Sequence, residues 1–326
     1  MAHEIEGNKA FFVTRPAWHD LGVVLDNAPT VEQAISIAYP HTLFKMDLQA
    51  ILTTDDGTTH TQALKNSKVI IRDDGKEFNT VGSDFELIQP QEIGHTFDPL
   101  IESGLVELEA GGSLRGGSQM WLLGKIKHAD MDIVPGDQVK SYFLMYTGFD
   151  GSLRVGMSQT NVRVVCANTL AASISETKGN DFKFKHTKNV RLRMDNVVNT
   201  VKASLESFKK TTEAYKYLAT KTVSVLEQEK YIESVLLTDS ERDLLNRGEL
   251  NGKKKAIVEN VIELLDKQKG LELVPAIRGT AWQAYNAVSE YITHEHGRTV
   301  DSRLTSQWFG QSTGTNQRAL DLALAM

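Results

Sequence analysis

Between Phe182 and Arg193 the chain reads FKFKHTKNVRLR, which places Lys183, Lys185, Lys188, Arg191 and Arg193 beside Phe182 and Phe184. Cationic side chains release counterions from phosphates, and interleaved aromatic rings stack on exposed bases. The composition therefore suits a single-stranded nucleic acid. The competing reading is a solvated strand or helix edge whose phenylalanines pack inward. Arg154 and Arg163, in the strand-rich stretch upstream, would extend the run into a basic stripe. Arg115 sits inside Gly111-Gly112-Ser113-Leu114-Arg115-Gly116-Gly117, where it would be presented to solvent as a finger for a polyanion. That glycine-rich stretch matches neither a P-loop nor a dinucleotide fingerprint, and it lies between two apolar runs. It is expected to be the flexible tip of a long hairpin rather than a phosphate cradle.

Residues that could carry catalysis are harder to assemble. The nine histidines do not fall at metal-ligand spacings. His294-Glu295-His296 is not H-E-x-x-H, adjacent helical residues project in different directions, and favourable charge at a helix C-terminus explains the pair more simply. Cys166 is the only cysteine, so no intramolecular disulfide can form, and its apolar setting suggests a buried, inert thiol. Asp55, Asp56, Asp130 and Asp132 lie in turn-like sequence, where aspartate is favoured for its own backbone chemistry. A two-metal nuclease would need acids converging from several strands. No catalytic residue, metal or cofactor is assigned, and a non-enzymatic protein is expected.

The elements that must position these residues follow from the apolar pattern. Thr30 caps a short helix that ends before Pro40. Phe44, Met46, Leu48, Ala50 and Leu52 alternate with the period of a half-buried strand, and Lys68–Ile71 is another strand. Asp55-Asp56-Gly57 and Asp73-Asp74-Gly75 are turns. Pro90 opens a helix running to Ser103. Further strands are expected around Leu105–Leu108, Met120–Ile126, Val139–Thr147 and Leu153–Ser158, with Val162–Ala172 a strand leading into a helix. After a polar stretch over Ser175–Asn189 the chain turns helical. Val198, Val201, Leu205, Phe208, Thr212 and Tyr215 form a seam at spacings of three and four, able to join subunits or to pack as an intrachain helix pair. Helices are also expected at Lys255–Lys269, at Thr280–His294 and from Gln317. The fold class is α+β: an N-terminal antiparallel β-rich region (1–190) with a long hairpin and flanking helices, then a mostly helical region (191–326).

Length and charge narrow the function classes. The chain has 326 residues, 40% apolar and 24% charged, a globular balance, and its net charge of −6 excludes a uniformly basic nucleic-acid binder while leaving room for a local patch. The N-terminal MAHEIEGNKAFFVTRP lacks a basic region followed by an apolar one, so no secretory leader is expected. Apolar runs such as Met120–Leu123 and Tyr142–Met145 are far too short to span a membrane.

Four stretches together resemble one family: Pro16-Ala17-Trp18-His19-Asp20-Leu21-Gly22, Thr160 through Leu170, His186-Thr187-Lys188-Asn189, and Gly279-Thr280-Ala281-Trp282 through Glu290-Tyr291. This is the phage/plasmid-like family, domain of unknown function 932. The resemblance covers nearly the whole chain and implies a mobile-element origin, hence the cytoplasm of a bacterial host. It brings no activity and no catalytic residues. In the order of its elements the chain is also similar to Rad52-like single-strand annealing proteins, which hold single-stranded nucleic acid in a basic groove, although it is acidic and its hairpin has few basic residues. The leading expectation is a protein that binds single-stranded DNA and promotes annealing or protection in phage or plasmid recombination or replication. The alternative is a protein-binding module that inhibits or redirects a host defence or replication factor, its acidity imitating nucleic acid.

Overall fold

The computed structural model describes residues 5–14, 22–163, 165, 168–170, 182–297 and 311–326. Cys166, most of Pro16–Gly22 and much of Ser175–Asn189 lie outside the described residues. Two compact units make up the chain, interleaved in sequence: residues 1–127, 143–158 and 181–201 form the first, and 128–142, 159–180 and 202–326 the second. The fold is mixed α+β, with β-sheets followed by a mostly helical C-terminal region.

In the first unit, β1 (Ile5–Val13) pairs in parallel with β2 (Val23–Leu25). Helix α1 (Val31–Ala38) starts where expected. Thr30 Oγ1 accepts from Gln33 N, and the Gln33 side chain accepts from Thr30 N, a reciprocal cap worth about 1 kcal/mol. Next come β3 (Leu43–Thr53), β4 (Thr59–Arg72) and β5 (Glu77–Gly82), a separate three-stranded antiparallel sheet in the order β3-β4-β5. The alternation of Phe44, Met46 and Leu52 does make a strand, but these side chains are 49, 50 and 62% exposed and not half-buried. The single helix expected over Pro90–Ser103 is two, α2 (Pro90–His95) and α3 (Asp98–Glu102). Pro99 has no N–H to continue the ladder and its ring excludes the carbonyl four residues back, so the helix breaks ahead of it.

Strand β6 (Val106–Leu114) and β7 (Gln119–Ile126) form the expected hairpin, but its tip is shorter than the glycines suggest. Gly111 and Gly112 lie inside β6 and are buried. A Cβ on Gly111 would come 2.5 Å from Leu122 and 2.7 Å from Phe11, and one on Gly112 2.9 Å from Ala10. These glycines let β1 and β7 approach closely; they are not flexible loop. The tip proper is one 3₁₀ turn, Arg115–Gly117, with Arg115 at φ 50 and Gly117 at φ 86.

Strand β8 (Met131–Val134) belongs to the second unit, while β9 (Asp137–Gly148) and β10 (Val155–Arg163) each run from one unit into the other. Within the first unit the main sheet has the order β10-β9-β7-β6-β1-β2. The short β12 (Phe182–Phe184), which follows β11 (Asn168–Leu170) in the chain, adds to β10, and α4 (Val190–Met194) comes after it.

In the second unit β8 pairs with β9 and β11 with β10. Helix α5 (Val197–Thr220), whose first turn belongs to the first unit, carries the expected seam, with Val201, Phe208, Thr212 and Tyr215 all buried within the chain, so the seam serves intrachain packing. Helices α6 (Val225–Leu236), α7 (Asp239–Asn246) and α8 (Gly252–Lys267) precede α9 (Ala281–Glu290), whose ten residues are all buried. α9 is held by polar contacts as well as packing. Trp282 Nε1 donates to Asp137 Oδ2 at 2.8 Å, and Gln283 donates to Leu265 O at 2.7 Å while accepting from Gly279 N at 2.6 Å. Helix α10 (Gln311–Ala325) closes the chain.

Candidate nucleic-acid interface

The register of β12 on β10 decides how the basic run is displayed. Val155 faces Phe184 and Gly156 faces Lys183, so one step further along the ladder Arg154 stands across from Lys185. Side chains alternate along a strand, which puts Lys183 and Lys185 on one side of it and Phe184 on the other. Arg154, Lys183, Lys185 and Lys188 are all exposed.

His186 pins this segment to the sheet. The Glu86 carbonyl, 3.0 Å from Nδ1, can only accept, so Nδ1 carries the proton and Nε2 takes the hydrogen bond from Thr147 Oγ1 at 3.2 Å. The ring stacks on Phe85 with centroids 4.5 Å apart. Burial holds its pKa below the usual 6.5, so it sits there neutral. The sequence singles out the His186-Thr187-Lys188-Asn189 stretch but does not show that His186 faces inward.

The same end of the sheet carries Arg115. Phe149 N donates to Ser118 O at 2.8 Å and Gln119 Nε2 to Ser152 Oγ at 3.2 Å, so the β6–β7 tip lies against the β9–β10 turn. Arg115, Arg154 and Lys185 therefore follow one another along a rim crossed in the strand order β6/β7, β9, β10, β12. At about 4.8 Å per strand the rim is roughly 15–20 Å long. Arg115 is exposed, as expected. Asp150, in the β9–β10 turn, accepts from Ser152 N at 3.0 Å and so faces its own turn.

Three cations of the sequence reading stand apart. Arg191 is engaged within the fold: Nε lies 2.5 Å from Glu92 Oε1, Nη1 pairs with Glu86, and Nη2 donates to Leu87 O at 3.0 Å. Burial tends to raise the Glu92 pKa, but the hydrogen bond and charge of Arg191 outweigh it and hold the carboxyl low. Glu92 Oε2 also accepts from Gln89 N, so one carboxylate caps α2 and anchors α4. Arg193 is exposed and lies over the Phe184 ring at 5.6 Å, a cation–π contact on the side of β12 away from the lysines. Arg163 ends β10 in the second unit, and its side chain lies outside the described residues.

Two other clusters are engaged within the fold. Arg72, 4% exposed, donates to both oxygens of Glu6 at 2.8 Å and clasps Asp74 through Nε and Nη2. Beside it Lys9 Nζ donates to His41 Nε2 at 2.8 Å, which leaves Nδ1–H for Asp73 at 2.6 Å. His41, Asp73 and Asp74 have the spacing of a metal set, but His41 is engaged by Lys9, Asp74 by Arg72, and Asp73 by His41 and Thr42 N. The network ties β1, the β4–β5 turn and α1 together; a Cβ on Gly117 would lie 2.5 Å from Arg72 Nη1. In the second unit a cavity of about 460 Å³ is lined by α6, α8 and α10. Its cations are also engaged, Lys254 by Glu241 and Arg318 by the carbonyl of Ser234.

The fold and this rim define an α+β protein with a cation-edged antiparallel sheet and a helical second unit. The chain belongs to the family described as Domain of unknown function (DUF932), which matches residues 77–308 and so includes the whole rim. No match was found among curated proteins or among solved structures. Among the described residues no helix is long and apolar enough to cross a membrane.

Proposed function

We propose that the rim is a binding surface for the phosphates of single-stranded nucleic acid, and that the protein anneals or protects single strands in phage or plasmid recombination or replication without catalysing a reaction. The observation that carries this reading is the gathering of Arg115, Arg154, Lys183, Lys185 and Lys188, all exposed, at one end of a sheet in a chain of net charge −6. In an acidic protein, exposed cations that share one rim concentrate positive potential there. Contacts to phosphates carry little base preference, so affinity should be nearly independent of sequence.

Fluorescein-labelled single-stranded DNA is titrated with the protein at low salt and followed by anisotropy. Binding that weakens steeply as salt rises supports the proposal, and strand-annealing assays follow. No binding at low salt overturns it.

A further inference from the structure

The sheet β3-β4-β5 carries an apolar side whose side chains are largely exposed among the described residues. By alternation Phe44, Met46, Leu48, Ala50 and Leu52 fall on one side of β3, whose register against β4 shifts between Asp47 and Leu48, and Leu64 stands across from Leu48 on β4. Leu52 and Leu64 are 62 and 41% exposed. Beyond Asp47 the ribbon is only two strands wide, since β5 pairs with β4 no further than Ser67. An isolated two-stranded ribbon is marginal in water, and folded proteins normally blunt such edges with charge. Here residues 48–54 and 57–64 hold no Lys, Arg, Asp or Glu; the charges of the ribbon lie at its two ends. Asp55 and Asp56 form the tip. At the base stands a lysine collar in which Lys68 pairs with Asp47 and Lys45 donates to the Ser83 and Phe85 carbonyls, leaving Lys65 as the cation nearest the uncharged stretch. Hydrogen bonds from Thr54 and Thr58 hold the Asp56 carboxyl down to about 2, so the tip is anionic at working pH.

We infer that a second copy of this chain covers this face, the two ribbons packing face to face about a two-fold axis with their strands antiparallel. Overlaying the uncharged stretches in that sense brings the acidic tip of each copy to the lysine collar of the other. It also sets the two tips at opposite ends, away from mutual repulsion. The acidic tip and the lack of cations along the ribbon make nucleic acid a poor occupant, because phosphates would meet carboxylates and no counter-charge. The face from Phe44 to Leu52 is about 30 Å long and about 10 Å wide. It would bury on the order of 500 Å² per copy, less than the ~800 Å² per partner of standard interfaces. The dimer should therefore dissociate on dilution.

Sedimentation velocity of the full chain, without nucleic acid, is run over a wide concentration range. The wild type should pass from monomer to dimer as concentration rises. Leu52→Lys, at an exposed position, should raise the dimer dissociation constant about a hundredfold, because each copy loses one buried leucine worth roughly tenfold or more. Asp56→Lys should weaken the dimer, and Asp56→Lys with Lys65→Glu should restore it. A wild type that stays monomeric throughout overturns the inference. So does a dimer indifferent to Leu52→Lys, which would place the contact on another surface.

Discussion

Two neighbouring groups of cations, similar in sequence, should fail in opposite ways when removed. If the rim neutralises five phosphates, the logarithm of affinity falls with the logarithm of salt at a slope of about −3.5, since each contact to a single strand contributes about −0.7. A rise from about 50 to about 200 mM salt should then weaken binding roughly a hundredfold. Arg154→Ala with Lys183→Ala and Lys185→Ala leaves two contacts, a slope of about −1.4 and a loss of only about sevenfold over the same range. These side chains are exposed, so the thermal midpoint should hardly move. Arg191→Ala should do the reverse. It removes charge-assisted bonds to Glu86 and Glu92 and one to the Leu87 carbonyl. The guanidinium side chain is 43% exposed, and solvent discounts the loss to about 1–2 kcal/mol. That corresponds to roughly 1.5–3 °C in midpoint for a protein of this size, with the salt slope intact. Anisotropy titrations at four salt concentrations and a thermal melt of each variant measure both quantities. A triple variant with the wild-type slope, or an Arg191→Ala slope reduced as far as the triple variant's, would refute the assignment of the rim.

Further expectations concern stability. The buried, neutral His186 has a lowered pKa, so as pH falls below 6.5 the unfolded chain takes up a proton before the folded one does, and stability declines. Urea midpoints at pH 7.5 and about 5.5 should show this for the wild type, and His186→Gln should flatten it; an unchanged pH slope in the variant would assign it to other groups. Arg72→Leu should lower the urea midpoint, because it removes both hydrogen bonds that the nearly buried Arg72 donates to Glu6. Glu6 is pushed up by burial but held low overall by Arg72 and Lys9, so the contribution of that network is present above its ordinary 4.5 and lost as pH falls; a wild-type acid midpoint shared by Arg72→Leu would contradict this. Gly156→Ala should cost about 1–3 kcal/mol, since its Cβ would fall 2.0 Å from the buried Tyr146 ring; an unaltered urea midpoint would show that the ring yields freely.

Much of the fold is legible in local chemistry. Thr30 as an N-cap, the Asp-Gly turns at residues 55–57 and 73–75, and the three-and-four spacing along α5 each depend on residues within one turn of one another. What misleads is chemistry that acts through distant neighbours. Gly111 and Gly112 look like loop because glycine usually frees the backbone, yet their role is to admit the Phe11 and Leu122 side chains from β1 and β7. Strand β1, which begins IEGNKAFFV, shows no sustained alternation, and its place in the sheet is set by pairing with β6, about a hundred residues away. Pro99 is a local signal for the break between α2 and α3.

The site divides along the same line. Alternation along FKF separates Lys183 and Lys185 from Phe184, and that much follows from the strand alone. That Arg154 stands across from Lys185 depends on the β10–β12 register, and that Arg191 is spent on Glu86 and Glu92 depends on partners about a hundred residues upstream. Counting cations in a window therefore overstates an interface, because it cannot tell a charge facing water from one already neutralised. The converse holds for β3. Its period of two correctly marks one face as apolar, but periodicity reports only that a face is suited to burial. Among the described residues its side chains are largely exposed, so the period marks a face able to take a partner and not a core face of the single chain.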